Sequence, residues 1–171
     1  MTDESPSTSP THAPPSLARA LVGAWRLEAT EQHLTDGTVR PSPLYGPNGA
    51  GYLIYSDSGQ MCVILADPNR ESWVSTDEPT EKDLRAIHDH FVAYSGRYEV
   101  NEAEQVVVHH IEMHVIPNYI GDAVKRRVSL DGPLLTLHVL PEELPVGTLE
   151  YVFRWRRVET NDFSSPMQNN A

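Results

Sequence analysis

Cysteine is nearly absent. Cys62 is the only one, so no intramolecular disulfide can hold the fold. Lysine is scarce as well, and no block of basic residues interrupts a formal net charge of -11. That balance argues against nucleic acid or an anionic membrane surface as a partner. No stretch approaches the ~20 consecutive apolar residues that a membrane-spanning helix needs. The first 16 residues lack both the basic start and the apolar run of a signal peptide, so a soluble, cytoplasmic protein is expected. Glycine-rich phosphate loops, a nucleophile elbow and paired Cys-x-x-Cys are all missing, and no cofactor is expected.

What remains is an ordinary globular composition, 39% apolar and 8% aromatic over 171 residues, enough for one domain with a sizeable core. Residues 1–16 and 161–171 are polar and poor in apolar groups. They cannot offset the entropy of ordering and are expected to be disordered tails flanking a domain over 17–160.

Most of that domain alternates with period two. Strands are expected over Val22 to His33, a short segment ending before Pro41, Gly51 to Ser56, Gln60 to Ala66, Tyr94 to Val100, Gln105 to Ile116, Val124 to Leu130, Pro133 to Leu140 and Thr148 to Val158. Asp57-Ser58-Gly59 and Asp131-Gly132 supply hairpin turns in which glycine takes a positive φ. One segment departs from the alternation. Pro79 to Phe91 carries early acidic residues and apolar ones at Leu84, Ile87 and Phe91, which is helical spacing. The fold class is therefore all-β: an antiparallel barrel of about 8–10 strands with one covering α-helix.

Several motifs sharpen this. Gly23-Ala24-Trp25 opens the first strand, and Trp155-Arg156-Arg157 closes the last. Gly51-Tyr52 to Gly59-Gln60-Met61, Ala93 to Val100, and His109-His110-Ile111-Glu112 to Pro117-Asn118-Tyr119-Ile120-Gly121 follow in order. Together these resemble the small bacterial and fungal lipocalin-like domain proteins, over about Leu21 to Val158. The resemblance implies a lipocalin-type barrel in which the tryptophan plugs one end. It also implies that an arginine from the last strand lies across the indole, with Arg157 the first choice by parity. Tyr119 stands where that family usually has tryptophan, and His114 where a small residue is common. Related barrels include cyclases and isomerases of polyketide and terpenoid biosynthesis.

Alternation assigns the lumen. Tyr151, Phe153 and Trp155 share the apolar face of the last strand. Arg126 shares a face with Val124 and Val128, a charge in an apolar row; it pairs with a carboxylate, lies at the rim with its head in water, or meets a ligand oxygen. A turn over Asn101 to Glu104 would set Tyr98 opposite Val107 and Gly96 opposite His109. His109 and Met113 then face inward, while His110, Glu112 and His114 face outward without metal. On this reading His109, Arg126 and Tyr98 are the candidate catalytic groups, and Tyr55, Met113, Tyr151, Phe153 and Trp155 the candidate substrate-binding ones. His109 can equally be a core histidine with both nitrogens satisfied.

Three functions compete. One is a cofactor-independent cyclase or isomerase acting on an apolar polyketide- or terpenoid-like molecule by substrate folding and acid–base or carbonyl polarisation. Another is a non-catalytic carrier of a hydrophobic small molecule, and the third a solid-packed scaffold. Homodimer formation is left open.

Overall fold

The computed structural model describes residues 15–139 and 146–159; both expected tails fall almost wholly outside them, as does Leu140. A short helix, α1 (Leu17–Leu21), leads into nine strands: β1 (Gly23–Leu34), β2 (Val39–Pro41), β3 (Ala50–Tyr55), β4 (Gln60–Ala66), β5 (Phe91–Asn101), β6 (Val106–His114), β7 (Ala123–Asp131), β8 (Leu134–Val139) and β9 (Thr148–Arg157). All pairings are antiparallel, each strand from β3 to β9 beside its chain neighbour. Strand β1 pairs with both β3 and β9 and closes an eight-strand barrel, leaving β2 as an extra strand on its far half. Antiparallel closure follows from short turns between alternating strands and leaves no open edge around the ring. Among the described residues no helix is long and apolar enough to cross a membrane.

The expected helix is present as α2 (Glu81–His90), one residue or more shorter at each end. Its start is a capping box. The Asp83 carboxylate accepts from the Thr80 N–H at 2.8 Å, and the Thr80 hydroxyl accepts from the Asp83 N–H at 3.3 Å. No residue of α2 is buried, and Leu84 is 53% exposed, so the helix lies beside the open end without plugging it. Helix α1 was not expected. Its Ser16 cap and the bidentate Glu102 carboxylate on the Leu17 and Ala18 N–H groups, both at 2.9 Å, hold one turn that propensity alone would not.

One end is sealed. Trp25 is fully buried, and the Arg157 guanidinium carbon lies 4.1 Å from its ring centroid. The same guanidinium donates to the carbonyls of Val22 (2.8 Å) and Ala20, while the indole N–H donates to Leu21 at 2.9 Å. Gly23 makes this possible. Its φ of +138° suits glycine, and a Cβ there would stand 2.7 Å from Arg157 Nη1. Leu21, Leu53, Val107 and Leu135, none of them exposed, belong to the same buried cluster as Trp25.

The β5–β6 register differs from expectation. Strand β5 runs through Asn101, paired with Val106, and the loop is Glu102 to Gln105, with Gln105 at φ +54°. Tyr98 therefore faces His109, Gly96 faces Ile111 and Val100 faces Val107. The shift is two residues, so the inward face is unchanged up to Ile111. Glu112 is then an extra residue in β6: Ile111 pairs with Gly96 and Met113 with Ser95. This bulge reverses the alternation beyond it.

Candidate functional site

The open end of the barrel holds a cavity of about 690 Å3. Its apolar wall is Leu137 and Val139 on β8 with Phe153 and Trp155 on β9; the latter two rings lie nearly parallel, centroids 6.5 Å apart. Tyr45, from the loop after β2, meets Phe153 at 6.5 Å and adds a phenol at the wall. Burial pushes the Tyr45 hydroxyl well above the usual phenol range, so it stays protonated.

The opposite wall is polar and aromatic. A row of rings climbs this side from the sealed end, Tyr98, Tyr55, His109, Tyr94, His114, Tyr119, with successive centroids 4.6, 5.6, 5.9, 5.8 and 4.8 Å apart, and its last four members line the cavity. His109 is 1% exposed, and both its nitrogens are used: Nε2 is 2.7 Å from the Tyr55 hydroxyl and Nδ1 3.0 Å from the Tyr94 hydroxyl. Desolvation, helped by the nearby Arg126 charge and by His110, lowers its pKa from 6.5 to about 3. The neutral ring then donates through one nitrogen and accepts through the other. Higher up, His114 Nδ1 accepts from the Ile116 N–H at 2.8 Å, so the neutral ring carries its proton on Nε2. Desolvation lowers the pKa of His114 too. Tyr119 caps the row from a 3-10 turn, Pro117–Tyr119, and is 47% exposed at the mouth. His88 and Asp89 at the end of α2 form part of the rim.

His109, Arg126, Phe153 and Trp155 line the cavity together. Arg126 projects from β7, where it pairs with Val107 and Val139, and its Nη1 donates to the Lys125 carbonyl at 2.7 Å. Tyr55 lies one layer below, buried beneath His109. Tyr98 is deeper still; its hydroxyl donates to the Ser56 carbonyl at 2.8 Å, so it does not reach the lumen wall. Tyr151 accepts from Gln32 Nε2 at 3.0 Å and stands outside the lining set.

Besides Tyr98, Tyr55 and Tyr151, which were expected to line the cavity and do not, two facings need correction, both because of the Glu112 bulge. Met113 is 68% exposed on the outside, and His114 takes the inward place. His110 and Glu112 do face outward, beside Glu99 (3.5 Å) and Arg97 (2.9 Å), but His114 no longer shares their face. The signal was present in Gly96. A Cβ there would sit 2.0 Å from the His110 carbonyl oxygen, and a glycine in mid-strand marks a bulge. Tyr94 and Tyr45 were not singled out, although Tyr94 shares the parity of Tyr98.

A closed antiparallel barrel with a tryptophan–arginine plug and one roomy, largely apolar cavity defines a small-molecule-binding barrel. Residues 22–158 match the family model described as the lipocalin-like domain, and the chain belongs to that family. It is 30% identical over 86 residues to the 4'-hydroxy-3'-methoxypropiophenone carrier protein ppsC of Aspergillus oryzae, covering 46% of this chain and 78% of that protein. Among solved structures it is similar to the lipoprotein YedD of Klebsiella pneumoniae (12% identity, TM-score 0.37, 83% of this chain and 76% of that one). An uncharacterized protein from Bacteroides eggerthii is similar at 14% identity and TM-score 0.38, over 78% and 98%.

Proposed function

We propose that the barrel carries an apolar aromatic small molecule bearing an oxygen acceptor and releases it unchanged. The observation that carries this reading is the state of His109. A ring that is 1% exposed, with one nitrogen on the Tyr55 hydroxyl and the other on the Tyr94 hydroxyl, offers no free nitrogen to a molecule in the lumen. Acid–base chemistry by His109 on a substrate would need one of those nitrogens free. The Phe153–Trp155 wall suits a flat ring, and the polar row from Tyr94 to Tyr119 offers donors to a carbonyl or phenol oxygen. The carrier named among the relatives supports an aryl ketone as the first ligand to try.

The test is a tryptophan-fluorescence titration with aryl ketones, 4'-hydroxy-3'-methoxypropiophenone included, followed by mass analysis of the recovered ligand. Saturable binding, at least tenfold weaker in Phe153→Ala, with the ligand recovered intact is the expected result. Multiple turnovers to a cyclised or isomerised product would restore the enzyme reading, and no binding would leave the scaffold.

A further inference from the structure

His109 lies between two hydroxyls, and the deeper one sets the direction of both bonds. Tyr55 is 1% exposed, and among the described residues its hydroxyl has one hydrogen-bond partner, His109 Nε2 at 2.7 Å. A buried phenol proton without an acceptor is costly, so Tyr55 donates and Nε2 accepts. The neutral ring then carries its proton on Nδ1 and gives it to the Tyr94 oxygen at 3.0 Å. Tyr94 lines the cavity, and its own proton is turned away from the ring. His114 is fixed from behind in the opposite sense. The Ile116 N–H occupies its Nδ1, and its Nε2–H makes no hydrogen bond with any described residue. Two further groups of the same lining bring protons. Arg126 has only donors, and the Tyr45 hydroxyl, on a residue 4% exposed, makes no hydrogen bond with any described residue. The carboxylates of the lining stand at the rim, where Asp89 accepts from His88 at 2.8 Å and Asp122 is exposed.

We propose that the lumen selects its ligand by the direction of these protons: it takes a carbonyl oxygen, which accepts hydrogen bonds and brings no proton, in preference to the matching alcohol. The proposal rests on the carrier reading and supplies the chemical class of the oxygen that is gripped. Tyr94 and His114 are the donors, and Tyr55, which stands one layer below the cavity, is the positioning residue that acts through His109. Both imidazoles present the lumen with no nitrogen lone pair, one because its acceptor nitrogen is filled by Tyr55 and the other because its is filled by the Ile116 N–H. A ketone oxygen offers lone pairs to the waiting donors and leaves nothing unpaired. An alcohol oxygen accepts as well, but its own proton meets no imidazole nitrogen, and the Tyr94 oxygen already receives the His109 proton. In a largely apolar cavity that unpaired proton weakens binding.

Two measurements on the full chain test this. Nitrogen NMR of isotope-labelled histidine in the ligand-free protein at neutral pH should show His109 protonated on Nδ1 and His114 on Nε2. Tyr55→Phe should mix the two tautomers of His109 while circular dichroism stays native. Tryptophan-fluorescence titration should then give about tenfold tighter binding of 4'-hydroxy-3'-methoxypropiophenone than of the alcohol made by reducing its carbonyl, the phenol being common to both. Tyr94→Phe should lose most of that ratio, and Tyr55→Phe part of it, although Tyr55 does not touch the ligand. His109 protonated on Nε2 would overturn the proposal and leave the carrier reading standing. So would equal binding of ketone and alcohol by the wild-type chain, or a ratio unchanged in Tyr94→Phe. Turnover of the ketone with the ratio kept would overturn the carrier reading and leave the donor site, and binding of neither compound would overturn both.

Discussion

The two ends of this barrel are built on opposite plans. At the sealed end Trp25 is wholly buried, every polar group named there has a partner, and one arginine both covers the indole and ties down two backbone carbonyls. At the mouth Tyr119 is half in water, α2 buries nothing, and His114, its pKa lowered by desolvation, stacks on Tyr94. The contrast separates what stabilises the fold from what receives a ligand. Changes at the floor should register as lost stability, and changes at the mouth as altered binding.

The largest effect is expected from Trp25→Ala, which empties the plug and leaves Arg157 over a void. Urea denaturation should show a loss of ~3–5 kcal/mol. Gly23→Ala should cost about 2 kcal/mol, because a methyl group at that φ is strained and displaces the guanidinium. Between floor and mouth, His109 makes stability depend on pH. The unfolded chain takes up a proton at this ring below about pH 6.5, and the folded one does not until about pH 3. The stability of the neutral ring is therefore complete above pH 6.5 and falls on acidification, by roughly 1.4 kcal/mol per pH unit. Denaturation midpoints at pH 7 and pH 5 should differ accordingly, and the slope should flatten in His109→Gln. Smallest in stability is Tyr119→Ala, expected within ~0.5 kcal/mol of wild type. Its effect should appear as a several-fold faster ligand release in stopped-flow fluorescence. Equal stability losses at Trp25 and Tyr119 would erase the distinction.

The floor was legible because its determinants are contiguous. Gly23-Ala24-Trp25 is a three-residue pattern, and the parity of Trp155 and Arg157 on one regular strand places the arginine. Strand number, hairpin turns and the helix followed from periodicity in the same way. The mouth was not, because it depends on counting across β5 and β6. A loop one residue later than expected moved the pairing by two and did no harm to facing, whereas a single extra residue at Glu112 exchanged Met113 with His114. Tyr45 and Tyr119 come from loops, where no alternation points inward or outward.

The bulge in β6 makes the character of both surfaces a matter of arithmetic. Beyond Ile111 the strand presents a thioether to the outside and an imidazole to the lumen only because Glu112 is there to be skipped. Pairing Glu112 itself with Ser95 in a regular ladder would thread methionine into the cavity and histidine onto the outer wall, whereas deleting Glu112 would close the bulge and keep both facings. For a small barrel, then, a slip of one residue in register is a larger chemical change than most substitutions, since it rewrites the inside and the outside at one stroke.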